Sequence, residues 1–188
     1  MPPRSRITRE MILDAAFAIA RERGAEQISA RGIAQQLGCS TQPVLYQFAR
    51  VEDIRREVHR MADEFQTARL LQPAQGDPLL AMGLNYVRFA AEEKQLFRFL
   101  FQSDAFAGQS IAALTDGPEL APMLAMFRQA AGLTEAQAKR LFKGLMLMVH
   151  GCASLLANNA MDYDEAEIAC LLETAYMGMI GLMKEEGA

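Results

Sequence analysis

Apolar residues recur along this chain at helical spacing, and no extended segment alternates with the strict period of a β-strand. The first such segment lies between Thr8, a suitable N-cap, and Gly24, a suitable C-terminal stop. Its apolar stripe is formed by Ile12, Ala15, Ala16, Ile19 and Ala20. The pattern predicts an amphipathic first helix and an all-α protein.

Two short helices are predicted next. The first covers residues 30–37, with Ser29 as its N-cap and Gly38 as its stop. The second covers residues 41–48, with Ser40 as its N-cap. A tight turn that contains glycine joins them, which is the pattern of a helix-turn-helix.

The remaining segments are also predicted to be helical. A longer helix begins at Val51, where Glu52 and Asp53 suit the positive end of the helix dipole. It is expected to end near Leu71. Further helices are predicted at 79–93, around 93–102 and at 122–131, with a looser region at 104–120.

Two C-terminal helices carry the second strong pattern. Thr134 and Gln137 form a capping box that opens the first, and the last begins near Asp164 with Glu167 at the capping-box position. Between Lys143 and the end of the first helix, and between Glu173 and Lys184 of the second, the sequence has no charge. A helix that is apolar all round must be covered all round.

A second copy of the same helix pair is the simplest cover and would form a two-fold, four-helix dimer interface. Glycines inside these helices favour close approach of helix backbones, because each costs about 1 kcal/mol relative to alanine. The alternative is that both helices are central to a monomer core. The predicted interface residues are Gly144, Gly151, Leu155, Leu172, Tyr176, Met179, Ile180 and Met183.

Charge is distributed unevenly along the chain. The net charge of the 188 residues is −4, but residues 1–60 carry ten arginines against seven acidic residues, whereas residues 61–188 have a balance of −7. A basic head on an acidic body indicates that the head meets an anion. Hydrophobic residues make up 51% of the chain, which is enough for a sizeable core.

Targeting and metal signals are weak. The first ten residues, MPPRSRITRE, hold no apolar signal-peptide stretch, and the least polar run, from Gly144 to Ala157, is too short to span a bilayer. Cys39, Cys152 and Cys170 are odd in number and widely spaced, so we expect no disulfide framework and no metal site, and a cytoplasmic location.

The candidate chemistry of the head is DNA recognition. A helix-turn-helix reads base edges in the major groove with the N-terminal residues of its second helix, here Thr41, Gln42 and Pro43. Glutamine can make a bidentate contact to adenine, and the threonine methyl can touch a thymine methyl. In the alternative, these are ordinary exposed residues on a structural unit. Candidates for other DNA contacts, many to phosphates, are Arg4, Arg6, Arg9, Ser29, Arg31, Ser40, Tyr46, Gln47 and Arg50.

Residues 7–54 together resemble the DNA-binding head of the TetR family of bacterial transcription regulators. The likeness rests on the first helix ending at Gly24, on Ile28-Ser29, on Ile33-Ala34-x-x-Leu37-Gly38, and on Ser40, Phe48 and Glu52-Asp53-Ile54. The segments LFRFLF at 96–101 and VHGCASLLANN at 149–159 resemble the body of a subgroup of that family.

One position departs from the family pattern. The family usually has an aromatic residue, most often tyrosine, three positions before the phenylalanine that is Phe48 here, and that residue typically bonds a DNA phosphate. This chain has Leu45 there, and its tyrosine stands one place later, at Tyr46. One residue is about 100° of rotation on a helix, so Tyr46 does not occupy the same place.

The resemblance implies a division into a helix-turn-helix domain, residues 1–50, and a helical effector-binding and dimerisation domain, residues 51–188. It implies a homodimer that binds a palindromic operator, acts as a repressor, and is released when a small apolar or amphipathic effector displaces the helix at 51–71. The alternative is a DNA-binding dimer without an effector. No catalytic motif stands out, so we expect neither an enzyme nor a cofactor.

Ten of the twelve methionines and eight of the ten phenylalanines follow residue 60, and such side chains suit an adaptable apolar pocket. Each could equally be a core residue, and His150 could anchor a ligand or be a hydrogen-bonded interface histidine. The pocket candidates are Phe65, Met82, Tyr86, Phe89, Phe97, Phe101, Phe127, Met146 and His150.

Overall fold

The structure, a computed structural model, describes residues 7–73, 76–102, 108 and 110–185, and the secondary structure of these residues is entirely helical. The all-α prediction is confirmed. The described α-helices are α1 (Arg9–Arg23), α2 (Ala30–Gln36), α3 (Thr41–Gln47), α4 (Val51–Leu70), α5 (Pro78–Glu92), α6 (Lys94–Phe101), α7 (Ala121–Ala131), α8 (Glu135–Asn158) and α9 (Glu165–Glu185). Short 3₁₀ helices lie at Ala25–Gln27, Ile111–Thr115 and Pro118–Leu120.

Local capping explains where these helices begin. The side chain of Thr8 accepts a hydrogen bond from the Met11 amide, and that of Ser29 accepts one from the Gly32 amide. Thr134 forms a complete capping box at the start of α8. Ser40 occupies the N-cap position of α3, but its side chain makes no capping hydrogen bond, so Ser40 acts there through its extended backbone alone.

The described residues form two compact units. Residues up to 68 and those from 93 to 102 form unit 1, whereas residues 69–92 and those from 108 onward form unit 2. Helix α6 therefore belongs with the head, because it packs against α1 and the 3₁₀ turn that follows α1. The functional boundary at residue 50 stays a prediction.

Unit 1 has a core of branched aliphatic side chains and an aromatic and ionic junction. The side chains of Ile12, Ile19, Ile28, Ile33, Val44, Ile54 and Val58 are fully buried in it. The Nε atom of Arg21 donates to buried Glu93 at 2.8 Å, which ties α1 to the start of α6. The Phe65 ring lies edge-on to Phe17, and their centroids are 5.9 Å apart.

Unit 2 packs α5, α7 and α9 against α8. One apolar cluster contains Phe127, Leu141 and Tyr176, and another contains Val87 and Leu172. Helix α5 comes close to its neighbours at Gly83, where a Cβ atom would lie 3.3 Å from the Leu172 side chain. This glycine thus permits close helix packing inside unit 2.

Candidate functional site

The turn between α2 and α3 is built by a few backbone features. Gly38 has φ +63°, a left-handed conformation that residues with a Cβ rarely adopt. The Cys39 amide then donates to the Ala34 carbonyl at 2.9 Å, which closes the end of α2. Val44 and Phe48 are buried, so one side of α3 is fixed in the core of unit 1.

The opposite side of α3 faces outward. Thr41, Gln42, Leu45 and Tyr46 are exposed, whereas Pro43 and Gln47 are half-buried. Thr41 and Gln42 are therefore both accessible at the start of α3. Leu45 and Tyr46 expose large apolar surfaces beside them, 52% and 82% of each residue.

The other predicted DNA contacts surround this face only in part. Arg31, Ser40 and Thr41 line one groove of about 390 Å³ at the junction of α2 and α3. Arg50 is exposed and lies 3.8 Å from Glu52. Ser29 is exposed, although its oxygen already accepts the capping bond of α2. Arg4 and Arg6 lie outside the described residues.

Arg9, a candidate for a phosphate contact, is engaged within unit 1. Its guanidinium lies 4.0 Å from the centroid of the Phe48 ring and 3.3 Å from Glu57. These contacts link the start of α1 to the end of α3 and to α4. Arg9 therefore helps to hold α1 against the end of α3 and against α4.

The structure divides the pocket candidates between the two units. Phe65, Phe97 and Phe101 belong to unit 1, where Phe97 is fully buried and its ring centroid lies 5.1 Å from that of Phe101. The other candidates belong to unit 2. Of these Met82, Phe89 and Phe127 are buried, and Tyr86, Met146 and His150 are half-buried.

One pair among these candidates is brought together. The Tyr86 hydroxyl and His150 Nδ1 lie 2.9 Å apart and share a hydrogen bond between α5 and α8. Burial raises the pKa of Tyr86 and lowers the pKa of His150, so both side chains are neutral near pH 7. Tyr86 also packs against the apolar cluster of Val87, Val149 and Leu172. The result is a neutral polar pair beside an apolar surface.

A polar network that periodicity could not reveal lies at the C-terminus of α4. The amide nitrogen of buried Asn85 donates to the Gln72 carbonyl at 3.0 Å and to the Leu70 carbonyl at 3.3 Å. Arg88 Nη1 lies 3.4 Å from the Asn85 side-chain oxygen, and Arg88 Nη2 donates to Glu165 at 2.6 Å. The network thus joins the end of α4 to α5 and to the start of α9.

The structure places the predicted interface residues in different surroundings. Leu172, Tyr176, Ile180 and Met183 are buried in the core of unit 2. Met179 is half-buried, and its side chain lies against Gly144. Gly151 and Leu155 are exposed, together with other residues of α8 and α9.

That exposed surface is apolar and lined with small residues. On α8 it contains Leu147, Gly151 and Leu155 at intervals of four residues. On α9 it contains Ala166, Cys170, Thr174, Met177, Gly178, Gly181 and Leu182. A Cβ atom added at Gly151, Gly178 or Gly181 would meet no described atom within 4 Å. These glycines therefore leave open space on the outer surface of unit 2.

Both helices are long and apolar enough to cross a membrane by length and composition alone. The run from Gly144 to Ala157 is short, but the helix that contains it has 24 residues. In the most apolar 18-residue window of each helix, the buried share of the window is 33% for α8 and 22% for α9. The core helix of a soluble protein passes the same test, so length and composition do not distinguish the two cases.

Comparison with known proteins identifies the body. Residues 79–175, slightly more than half of the chain, match a family model described as a tetracyclin repressor-like, C-terminal domain. No curated protein matches the sequence. The matched segment runs from the second residue of α5 to the middle of α9, and it includes Asn85 and the Tyr86–His150 pair.

Proposed function

This chain belongs to the TetR family, a family of transcriptional regulators, and on that premise we propose that it binds operator DNA through α3. The observation that carries this proposal is the outward face of α3, where Thr41 and Gln42 are exposed at the helix start. The excess of basic residues in the first 60 supports contact with a phosphate backbone. Arg31, in the groove beside Thr41, is a suitable phosphate partner.

We propose that the DNA-bound form is a homodimer joined through α8 and α9. The apolar windows of these helices are mostly uncovered in a single protomer. A second copy would bury Leu155 and Met177 and would use the open space at Gly151 and Gly178 for close helix packing. It would also place two heads on one duplex, and heads that are about 34–36 Å apart reach successive turns of the same groove.

We further propose that the protein is a cytoplasmic repressor released by a small apolar or amphipathic effector. The neutral Tyr86–His150 pair offers such a molecule one polar partner next to an apolar cluster. The Asn85 network connects the same helix, α5, to the end of α4. Displacing α5 would therefore disturb α4, and a coupling of about 1–3 kcal/mol would lower DNA affinity some 5- to 150-fold.

The proposal is tested by titrating the purified protein against DNA that flanks its own gene, over a series of salt concentrations. A protein that contacts six or more phosphates loses about a thousandfold in affinity between about 50 and 200 mM salt. The variant Thr41→Ala/Gln42→Ala should lose specific binding but keep the salt-dependent, non-specific component. Equal binding by parent and variant at every salt concentration would contradict the assignment of α3.

A further inference from the structure

We infer that Leu45 reads sequence, by packing against the 5-methyl group of a thymine in each half of the operator. This inference rests on the proposed DNA binding through α3 and goes beyond it, because it names a determinant and the base feature that the determinant recognises. It starts from a geometric observation. Leu45 is a large aliphatic residue with 52% of its surface exposed, on a helix that is anchored in the core of unit 1 by buried Val44.

The position of Leu45 on α3 is between the two proposed base readers. Successive residues on a helix are about 100° apart around its axis. Viewed along the axis, Leu45 therefore lies between Thr41 and Gln42, about 40° from the first and about 60° from the second. It stands about one turn further along the helix than they do. Tyr46 lies another 100° round, at the edge of the exposed face. A groove that Thr41 and Gln42 enter must therefore also receive Leu45.

The chemistry of Leu45 restricts what it can recognise. Its side chain has no donor or acceptor, so it can bond neither a phosphate nor the polar edge of a base. The major groove presents one apolar feature, the 5-methyl group of thymine. Any polar base edge opposite Leu45 would lose its water without gaining a partner, which is unfavourable. A thymine methyl opposite Leu45 avoids this loss and is itself removed from water.

The size of the effect follows from the methyl group. Burying one such group is worth about 0.8 kcal/mol, which is about a fourfold change in affinity. A dimer on a two-fold symmetric operator would bury two. Since well-separated contacts add in free energy, the two together give about a 15-fold change.

The test replaces thymines of the bound site with deoxyuridine, one symmetric pair at a time. Deoxyuridine lacks only the 5-methyl group and keeps base pairing. We expect one thymine pair whose replacement weakens the parent protein about 15-fold and leaves Leu45→Ala unaffected. Leu45→Ala should bind the unmodified site about as weakly as the parent binds the deoxyuridine site, and Leu45→Met should keep the dependence on the methyl group.

Two controls separate this role from others. Thr41→Ser removes the threonine methyl and should leave the thymine dependence of Leu45 in place. Leu71→Ala removes another exposed leucine, which lies outside α3, and should change nothing. Leu45 is exposed, so the alanine variant should fold like the parent.

Three results would overturn the inference. One is that the parent binds deoxyuridine and thymine duplexes equally at every position, and another is that Leu45→Ala retains the parent's thymine dependence. Either result removes the role of Leu45 while DNA binding by α3 stands. If the parent binds no DNA specifically, the proposed function fails and the inference fails with it.

Discussion

Replacing Asn85 with leucine tests whether the polar network at the end of α4 holds that helix in place. Asn85 is only 6% exposed, and its amide donates to two carbonyls of the last turn of α4 and the residues after it. Those carbonyls have no partner within a regular helix. Leucine has a similar volume but no donor, so the variant leaves both carbonyls without this partner.

The expected cost follows from the side-chain bonds that Asn85 makes. Each of its two neutral hydrogen bonds contributes about 1 kcal/mol, and the bond that charged Arg88 donates to its side-chain oxygen contributes about 1.5–3 kcal/mol. Burying the leucine side chain offsets part of this, by about 1–2 kcal/mol. We expect a net loss of about 2 kcal/mol in the free energy of unfolding, which lowers the Tm of a chain of this size by about 4–8 °C.

The assay has two readouts. Thermal unfolding is measured at one fixed protein concentration, because the Tm of a dimer depends on concentration. Hydrogen exchange then reports the Gln72 amide, which donates to the Arg69 carbonyl in the last turn of α4 and should exchange faster in the variant.

Asn159→Leu is the matched control for this test. Its amide also donates to a helix carbonyl, that of Leu155 at 2.9 Å, but Asn159 is exposed and water can replace the bond. It should change stability by less than about 0.5 kcal/mol. If Asn85→Leu melts with the parent and leaves the exchange of Gln72 unchanged, the network does not hold α4.

Two further predictions concern the dimer and pH. Met177 is 61% exposed on α9, so Met177→Glu should give a folded monomer in light scattering and lower operator affinity at least tenfold. Leu71→Glu, at a residue outside α9 that is 64% exposed, should stay dimeric. A dimeric Met177→Glu would contradict the proposed interface. Because burial lowers the pKa of His150, the unfolded chain takes up a proton near pH 6.5 that the folded protein resists, so stability should fall as pH drops from about 7.5 to about 5.5. His150→Gln should flatten that slope in thermal unfolding, and an equal slope in both proteins would refute the assignment.

Much of the fold is predictable from the sequence because its boundaries are set locally. Thr8, Ser29 and Thr134 cap the helices that they were expected to cap, since an N-cap acts on amides two or three residues away. The predicted helix ends agree with the structure to within about two residues. Ser40 is the exception among the predicted N-caps. It occupies the N-cap position, but its hydroxyl makes no capping hydrogen bond, because the residue type does not determine which partner a hydroxyl group binds.

The partners of each helix are less predictable than the helices. Periodicity shows which face of a helix is apolar but not what covers it, so Phe65, Phe97 and Phe101 could not be assigned to the unit of the head from spacing alone. The same limit applies to Leu172 and Met183, whose apolar character suits an interface and a core equally. The Tyr86–His150 contact joins residues 64 positions apart, and no local signal encodes such a pair.

The candidate site shows the same division. Thr41 and Gln42 are predicted from the turn spacing, because a helix-turn-helix places its readers at a fixed position, and the structure exposes both residues. Leu45 and Asn85 are not among the site residues predicted from the sequence, since the reasons to consider them are exposure in one case and burial in the other. Neither property of a single residue can be read from its type.

The measurement that tests the central claim most directly is selection of DNA from a random pool by the purified protein, followed by sequencing of what it retains. A homodimer that reads the major groove with α3 should enrich a two-fold symmetric site whose half-sites are about one helical turn apart, or a multiple of it. The enrichment should disappear with Thr41→Ala/Gln42→Ala. A pool that shows no symmetric site, or the same site with the double variant, would contradict the account.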